Sequence, residues 1–234
     1  MKLLNILRDL LEKEAYGSLI EMAMGHGGKV VSGLIGLLTD SNELLKWRAV
    51  KTLGQVTAQL FSQDPERAKK VIRQLIWNLN EESGGMGWGM AEAFGEILAV
   101  VPSLQNEYAC LLAAYISEEG CFIENEQIQK GVIWGLGRLG SLDEVLRAKV
   151  IPFLLKSLKN GDPEFQGTAA WAIGEMGLFE ALPLLNALQI ENRMIKIFDI
   201  DILQEKPLQQ WIEGAIKKIN QRGDLNDRRP MEMQ

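Results

Sequence analysis

The chain has 234 residues, enough for one large domain or two small ones with a substantial buried core. Hydrophobic residues make up 47% and charged residues 24%, and 31 acidic against 25 basic side chains leave a net charge of −6. That mild acidity excludes a general attraction to DNA, RNA or anionic membranes, though it leaves room for a local basic patch.

The first segment, MKLLNILRDLLEKEAYG, begins like a secretion signal, but Arg8, Asp9, Glu12, Lys13 and Glu14 interrupt it and no small-residue cleavage site follows. Leu3, Leu4, Leu7, Leu10 and Leu11 instead mark one face of an amphipathic helix. This helix opens an N-terminal cap over residues 1–29, in which GHGGK (25–29) ends a helix. No later segment approaches the roughly 18 uninterrupted apolar residues of a membrane span. Cys110 and Cys121, eleven positions apart, match neither a zinc motif nor a disulfide framework. They are expected in or near packed helices as small hydrophobes, in a reducing cytoplasm.

From residue 30 onward the chain repeats itself. WRAVKTLGQV (47–56), WGMAEAFGEI (88–97), KGVIWGLGRL (130–139) and GTAAWAIGEM (167–176) share small and apolar residues followed by a glycine. Gly54, Gly95, Gly137 and Gly174 are spaced 41, 42 and 37 apart, and a degenerate fifth copy, QWIEGAIKKI (210–219), carries Lys217 in the glycine position 43 further on. A period near forty residues is that of a two-helix repeat. Each copy follows another apolar helix, most clearly in VIPFLLKSLKNGDPEFQGTAAWAIGEMG (150–177), where Asp162 is placed to cap the second helix and Pro163 to start it.

These segments resemble HEAT-type repeats, in the short bacterial form related to phycobilisome-lyase HEAT-like repeats. The resemblance covers roughly residues 30 to 220, and NEESGGMGWG is similar to a motif of small bacterial HEAT-type proteins. It implies an all-α fold, a right-handed α-α superhelix of about five helix pairs. The repeats then span 30–61, 66–101, 104–142, 145–178 and 179–220, forming with the cap one solenoid over 1–220 before a disordered tail at 221–234. The insertion QIENRMIKIFDIDILQEKP (189–207) is expected to form either an extra helix or a short extended arm. A loop from Glu118 to about Glu126 precedes the third glycine-bearing helix.

Counted from the repeat glycine, positions −5, −4, −1 and +2 are apolar, for example Ala49, Val50, Leu53 and Val56, and form the core stripe. A mid-helix glycine costs about 1 kcal/mol against alanine, so its recurrence implies close helix packing. Positions −7, −3 and +1 form a separate ridge, expected outside the core. It carries Trp47, Lys51 and Gln55, then Trp88, Glu92 and Glu96, then Lys130, Trp134 and Arg138, then Gly167, Trp171 and Glu175. In HEAT-type arrays the second helices line the concave side, so the resemblance places these ridges on a groove floor. The competing expectation is that the tryptophans pack between adjacent repeats.

The run SGGMGWG (83–89) suggests a phosphate loop, but no Lys-Ser/Thr pair follows and no strand precedes it. It falls where other repeats turn between their helices. Glu81-Glu82, Glu118-Glu119 and Glu92/Glu96 are carboxylate pairs of the kind found in hard-cation sites, but solvated acidic faces are commoner, and no metal site is expected. His26 is the lone histidine, so a histidine-based triad or metal site could use only that residue, and between glycines it is expected to be exposed and inert. The reading is a non-catalytic adaptor holding a protein or peptide partner, with no cofactor, nucleic acid or membrane. Two alternatives remain by resemblance: a HEAT-like alkylpurine DNA glycosylase, in which Trp134, Trp171, Glu92 and Glu175 take the roles, and a tetrapyrrole-binding lyase-type protein. The first lacks a basic groove, since Lys51, Lys130 and Arg138 are offset by Glu92, Glu96 and Glu175.

Overall fold

The computed structural model describes residues 2–81, 87–188, 193–199 and 201–227. Ser83 to Met86 of the glycine-rich run, Gln189 to Asn192 and Ile200 of the insertion and the last residues of the tail lie outside that set. The chain divides into two compact units, 1–135 and 136–234.

In the N-terminal unit, α1 (Lys2–Glu12) and α2 (Tyr16–His26) form the cap, and Gly27 ends α2 with a positive φ of 43°. Then come α3 (Gly28–Leu37), α4 (Glu43–Gln63), α5 (Pro65–Leu79), α6 (Met90–Val100) and α7 (Gln105–Ala114). The next helix, α8 (Glu126–Leu139), runs across the division between the units. The Asn42 side chain caps α4 by accepting from the N–H groups of Leu44 and Leu45 at 3.1 and 3.3 Å, and Asp64 caps α5 ahead of Pro65. Packing alternates within and between pairs: α3 on α4, α4 on both α5 and α6, α5 on α6. Leu53, Val56, Phe94, Ile97, Val132 and Leu136, all from the apolar stripe, are fully buried.

The C-terminal unit holds α9 (Glu144–Ser157), α10 (Pro163–Met176), α11 (Leu182–Ala187), β1 (Met194–Asp199), β2 (Ile202–Pro207) and α12 (Leu208–Asp227). Asp162 caps α10 through the Glu164 N–H at 3.1 Å, with Pro163 at its first position. The fold is all-α except for the insertion, which forms an antiparallel hairpin pairing Ile195 with Lys206, Ile197 with Gln204 and Asp199 with Ile202. Of the two expectations for this segment, the extended arm is the one the structure shows. The hairpin packs with β1 on α10 and β2 on α12. The expected tail is corrected in part: α12 continues through Asp227, so residues 221–227 are helical.

The repeat glycines have a steric reason. A methyl group on Gly54 would sit 2.8 Å from Glu96 Cγ of α6, and one on Gly95 would sit 2.1 Å from the Gly135 Cα of α8. On Gly137 it would meet Trp171 Cζ3 at 2.6 Å, and on Gly174 the Ala215 Cα of α12 at 2.7 Å. Each glycine therefore lets one second helix approach the next almost backbone to backbone, which repays its low helix propensity.

The expectation that the cysteines pack is corrected. Cys110, on α7, and Cys121, in the turn after it, are both exposed thiols rather than packed hydrophobes. Among the described residues no single helix is long and apolar enough to cross a membrane.

Candidate functional site

The close approach of the second helices decides the fate of the ridge. Trp47, Glu92, Glu96 and Trp134 of the N-terminal unit are at most 7% exposed, and Trp171 of the C-terminal unit 4%. The expectation that these positions lie outside the core is therefore corrected. With glycines setting the helix separation, the long side chains flanking them are clamped between neighbouring helices. The Trp47 and Trp134 rings lie with centroids 4.7 Å apart at 53°, an inter-repeat contact between α4 and α8.

Glu92 is held in the same layer. Its Oε1 accepts from Lys46 Nζ at 2.7 Å, and that ammonium also lies 4.8 Å from the Trp47 ring centroid. Its Oε2 is buried without a hydrogen-bond partner and is lodged against Gly131, where a methyl group would come within 2.4 Å of it. Lys51 is half-buried over the Tyr16 ring at 5.1 Å, and Lys130 is likewise half-buried.

Trp88 is 47% exposed because it is not on the ridge at all. It sits in the turn Gly87-Trp88-Gly89, and α6 begins only at Met90. Gly89 adopts φ 76°, and a side chain there would strike the Leu38 carbonyl at 2.4 Å. A methyl on Gly87 would come within 2.6 Å of Ile128 Cδ1. These two glycines serve chain reversal and close packing.

Open space with functional chemistry occurs in the C-terminal unit, and three of the ridge residues contribute to it. A cavity of about 440 Å³ is lined by Gly137, Arg138, Trp171, Glu175, Asp199, Asp201 and Lys218 among others. A second, of about 250 Å³, shares Trp171, Asp199 and Lys218 with it and adds Gln204, Lys206, Trp211 and Gly214. Together they form a cleft walled by α10, the hairpin and α12, with two tryptophans in its lining and charges of both signs around it. Lys218 Nζ donates to Glu175 Oε1, and Lys206 Nζ lies 4.6 Å from the Trp211 ring centroid. The buried Trp211 indole N–H has no hydrogen-bond partner among the described residues.

The hairpin is seated by Gly167, the ridge position where other repeats carry Trp47, Trp88 or Lys130. A methyl there would come within 1.9 Å of Ile195 Cδ1 and 3.3 Å of Leu208 Cδ1, so β1 occupies the space a ridge side chain would fill. Replacing Gly167 by leucine is expected to displace the hairpin and cost about 2 kcal/mol, as overpacking does. Limited trypsin digestion should then cut at Arg193, Lys196 or Lys206 well before the helices, and an unchanged digestion pattern would contradict this seating.

Lys46, Asp199, Lys206, Trp211 and Lys218 escaped the sequence reading. A signal for the hairpin was present: Ile195-Lys196-Ile197 alternates apolar and polar residues in a β-branched stretch, a strand pattern. Nothing local marks Lys46 as the partner of a carboxylate 46 positions away. Among the described residues, no three His, Cys, Asp or Glu side chains converge as metal ligands.

Residues 123–192 match the family profile described as HEAT repeats. Among solved structures, an engineered protein from a structural-genomics consortium is 18% identical, with TM-score 0.56 over 93% of this chain and 90% of its own. Another engineered protein from the same source is 17% identical, with TM-score 0.50 over 93% and 92%. A designed armadillo repeat protein in complex with the peptide (KR)4 is 19% identical, with TM-score 0.51 over 93% and 91%. At these identities the likeness is one of fold. No curated protein matches the sequence. The glycine-spaced helix pairs, the HEAT-repeat profile over residues 123–192 and the solved folds agree on a HEAT-like helical-repeat fold of the all-α solenoid class.

Proposed function

We propose that the chain is a non-catalytic binding protein that holds a peptide segment of a partner in the cleft between α10, the hairpin and α12. The observation that carries this reading is the pair of adjoining cavities, about 440 and 250 Å³, with Trp171 and Trp211 in their lining and charged side chains at their edges. Indole edges in the wall with charged groups at the rim match the mixed composition of peptide and protein recognition sites. The designed armadillo protein holding (KR)4 supports the use of such a fold for peptides. This reading moves the binding surface away from Trp47, Lys51, Glu92, Glu96, Lys130 and Trp134. It keeps Arg138, Trp171 and Glu175 as part of the wall, and leaves Trp88 as an exposed aromatic in its own turn.

Gly214 supplies the test. It lines the smaller cavity in the middle of α12, and a methyl group added to it would meet nothing within 4 Å. Gly214→Ala is expected to stabilise the protein by about 0.5–1 kcal/mol, through helix propensity and a less flexible unfolded chain. Gly214→Phe fills the cavity without disturbing the helix. Peptides selected from a displayed random library against the wild-type protein should bind Gly214→Ala normally and lose at least tenfold in affinity for Gly214→Phe. Equal affinity for both variants would place binding elsewhere.

A further inference from the structure

The cleft contains two charges of opposite sign that the rest of the C-terminal unit leaves uncommitted. Glu175 and Lys218 are bonded to each other. Asp199 is different: it lines both cavities, and among the described residues no side chain bonds to its carboxylate. Lys206 rests on the Trp211 ring and makes no ion pair among the described residues. The buried Trp211 N–H beside it is a further donor without an acceptor.

The hairpin register fixes the geometry of these two charges. Asp199 pairs with Ile202, Gln204 with Ile197 and Lys206 with Ile195, so Asp199, Gln204 and Lys206 share one face of the hairpin. All three line the cleft. Lys206 stands opposite a residue four positions before Asp199, which at the rise of a strand separates the two charges by about 13 Å. An extended peptide alongside covers that distance in about four residues, and side chains four apart again point the same way.

We propose that the cleft recognises an extended segment carrying an arginine and, four residues away, an acidic side chain. Asp199 takes the arginine, and Lys206 takes the acid. This rests on the peptide-binding reading above and adds the chemistry of the peptide. The guanidinium suits the first position because its planar fork donates two parallel hydrogen bonds to a carboxylate. The acidic group suits the second because it supplies the counter-charge that Lys206 lacks among the described residues.

The test uses fluorescence anisotropy with labelled nine-residue peptides in an alanine-serine background, at physiological salt. One peptide has Arg and Glu four residues apart, one has them two apart, and two have either charge replaced by Gln. The wild-type protein is expected to bind the four-apart peptide about tenfold more tightly than any of the others. Asp199→Asn should abolish the advantage of Arg over Gln while keeping that of Glu, and Lys206→Gln should do the reverse. If the Arg-to-Gln loss is the same for wild type and Asp199→Asn, Asp199 does not read the base and the inference fails. Equal binding of charged and neutral peptides also overturns it, while leaving peptide binding in the cleft intact. If neither these peptides nor any library-selected peptide binds, the peptide-binding reading itself fails and the inference with it.

Discussion

Replacing Gly95 by alanine is expected to destabilise the N-terminal unit by about 3 kcal/mol, although alanine is the better helix former. The added methyl would lie 2.1 Å from the Gly135 Cα, 2.7 Å from its carbonyl carbon and 2.8 Å from its oxygen. These are backbone atoms, so no side chain can rotate away. Relief requires α6 and α8 to separate, which would open the layer that holds Trp47, Glu92 and Trp134. Gly214→Ala is the internal control: the same chemical change inside a helix, with nothing within 4 Å, and the opposite expected sign. Urea unfolding of the two variants, followed by circular dichroism, measures both. If Gly95→Ala proved as stable as wild type, the steric account of the repeat glycine would be wrong.

Lys46→Met is expected to cost about 3–5 kcal/mol, because it leaves a buried carboxylate without its counter-charge. The Glu92 side chain is 4% exposed and that of Lys46 14%, and Glu92 Oε2 already lacks a donor. Among the described residues, the Lys46 ammonium is therefore the one charged group offsetting the desolvation of Glu92. Combining Lys46→Met with Glu92→Leu should recover most of the loss, since an apolar pair of similar volume has no desolvation penalty to offset. The decisive comparison is the single variant against the double one by denaturant midpoint. Were the single variant within 0.5 kcal/mol of wild type, roughly the scale of an exposed surface substitution, Glu92 would have to reach water in solution.

Much of the architecture was legible because the repeat is periodic. Spacings of 41, 42 and 37 between glycines, with apolar positions at fixed offsets, identify the second helix of each pair. Asp162-Pro163 marks the start of α10 because capping is a local interaction. The binding surface was legible only in part. Ridge positions look alike in the sequence, yet Glu92 and Trp134 are buried while Arg138 and Glu175 stay half-exposed in the cleft wall. Trp88 aligns with Trp47 by counting, but Gly89 in a left-handed turn delays the helix to Met90 and removes Trp88 from the ridge.

What the sequence determined by itself is therefore what depends on neighbours along the chain: helix pairs, their caps, the apolar stripe and the need for glycine at one recurring place. The tertiary structure alone decided which polar side chains face water and which face one another. The distance between second helices is set by contacts such as Gly95 on Gly135, forty residues apart, and that distance buries Glu92 against Lys46. Likewise, Asp199 and Lys206 enter one cleft with Trp171 only because the hairpin folds back onto α10 and α12, and Gly167 leaves the room for it to do so. Local pattern carries no record of such approaches, since the free energy of each arises between segments that meet only in the folded chain.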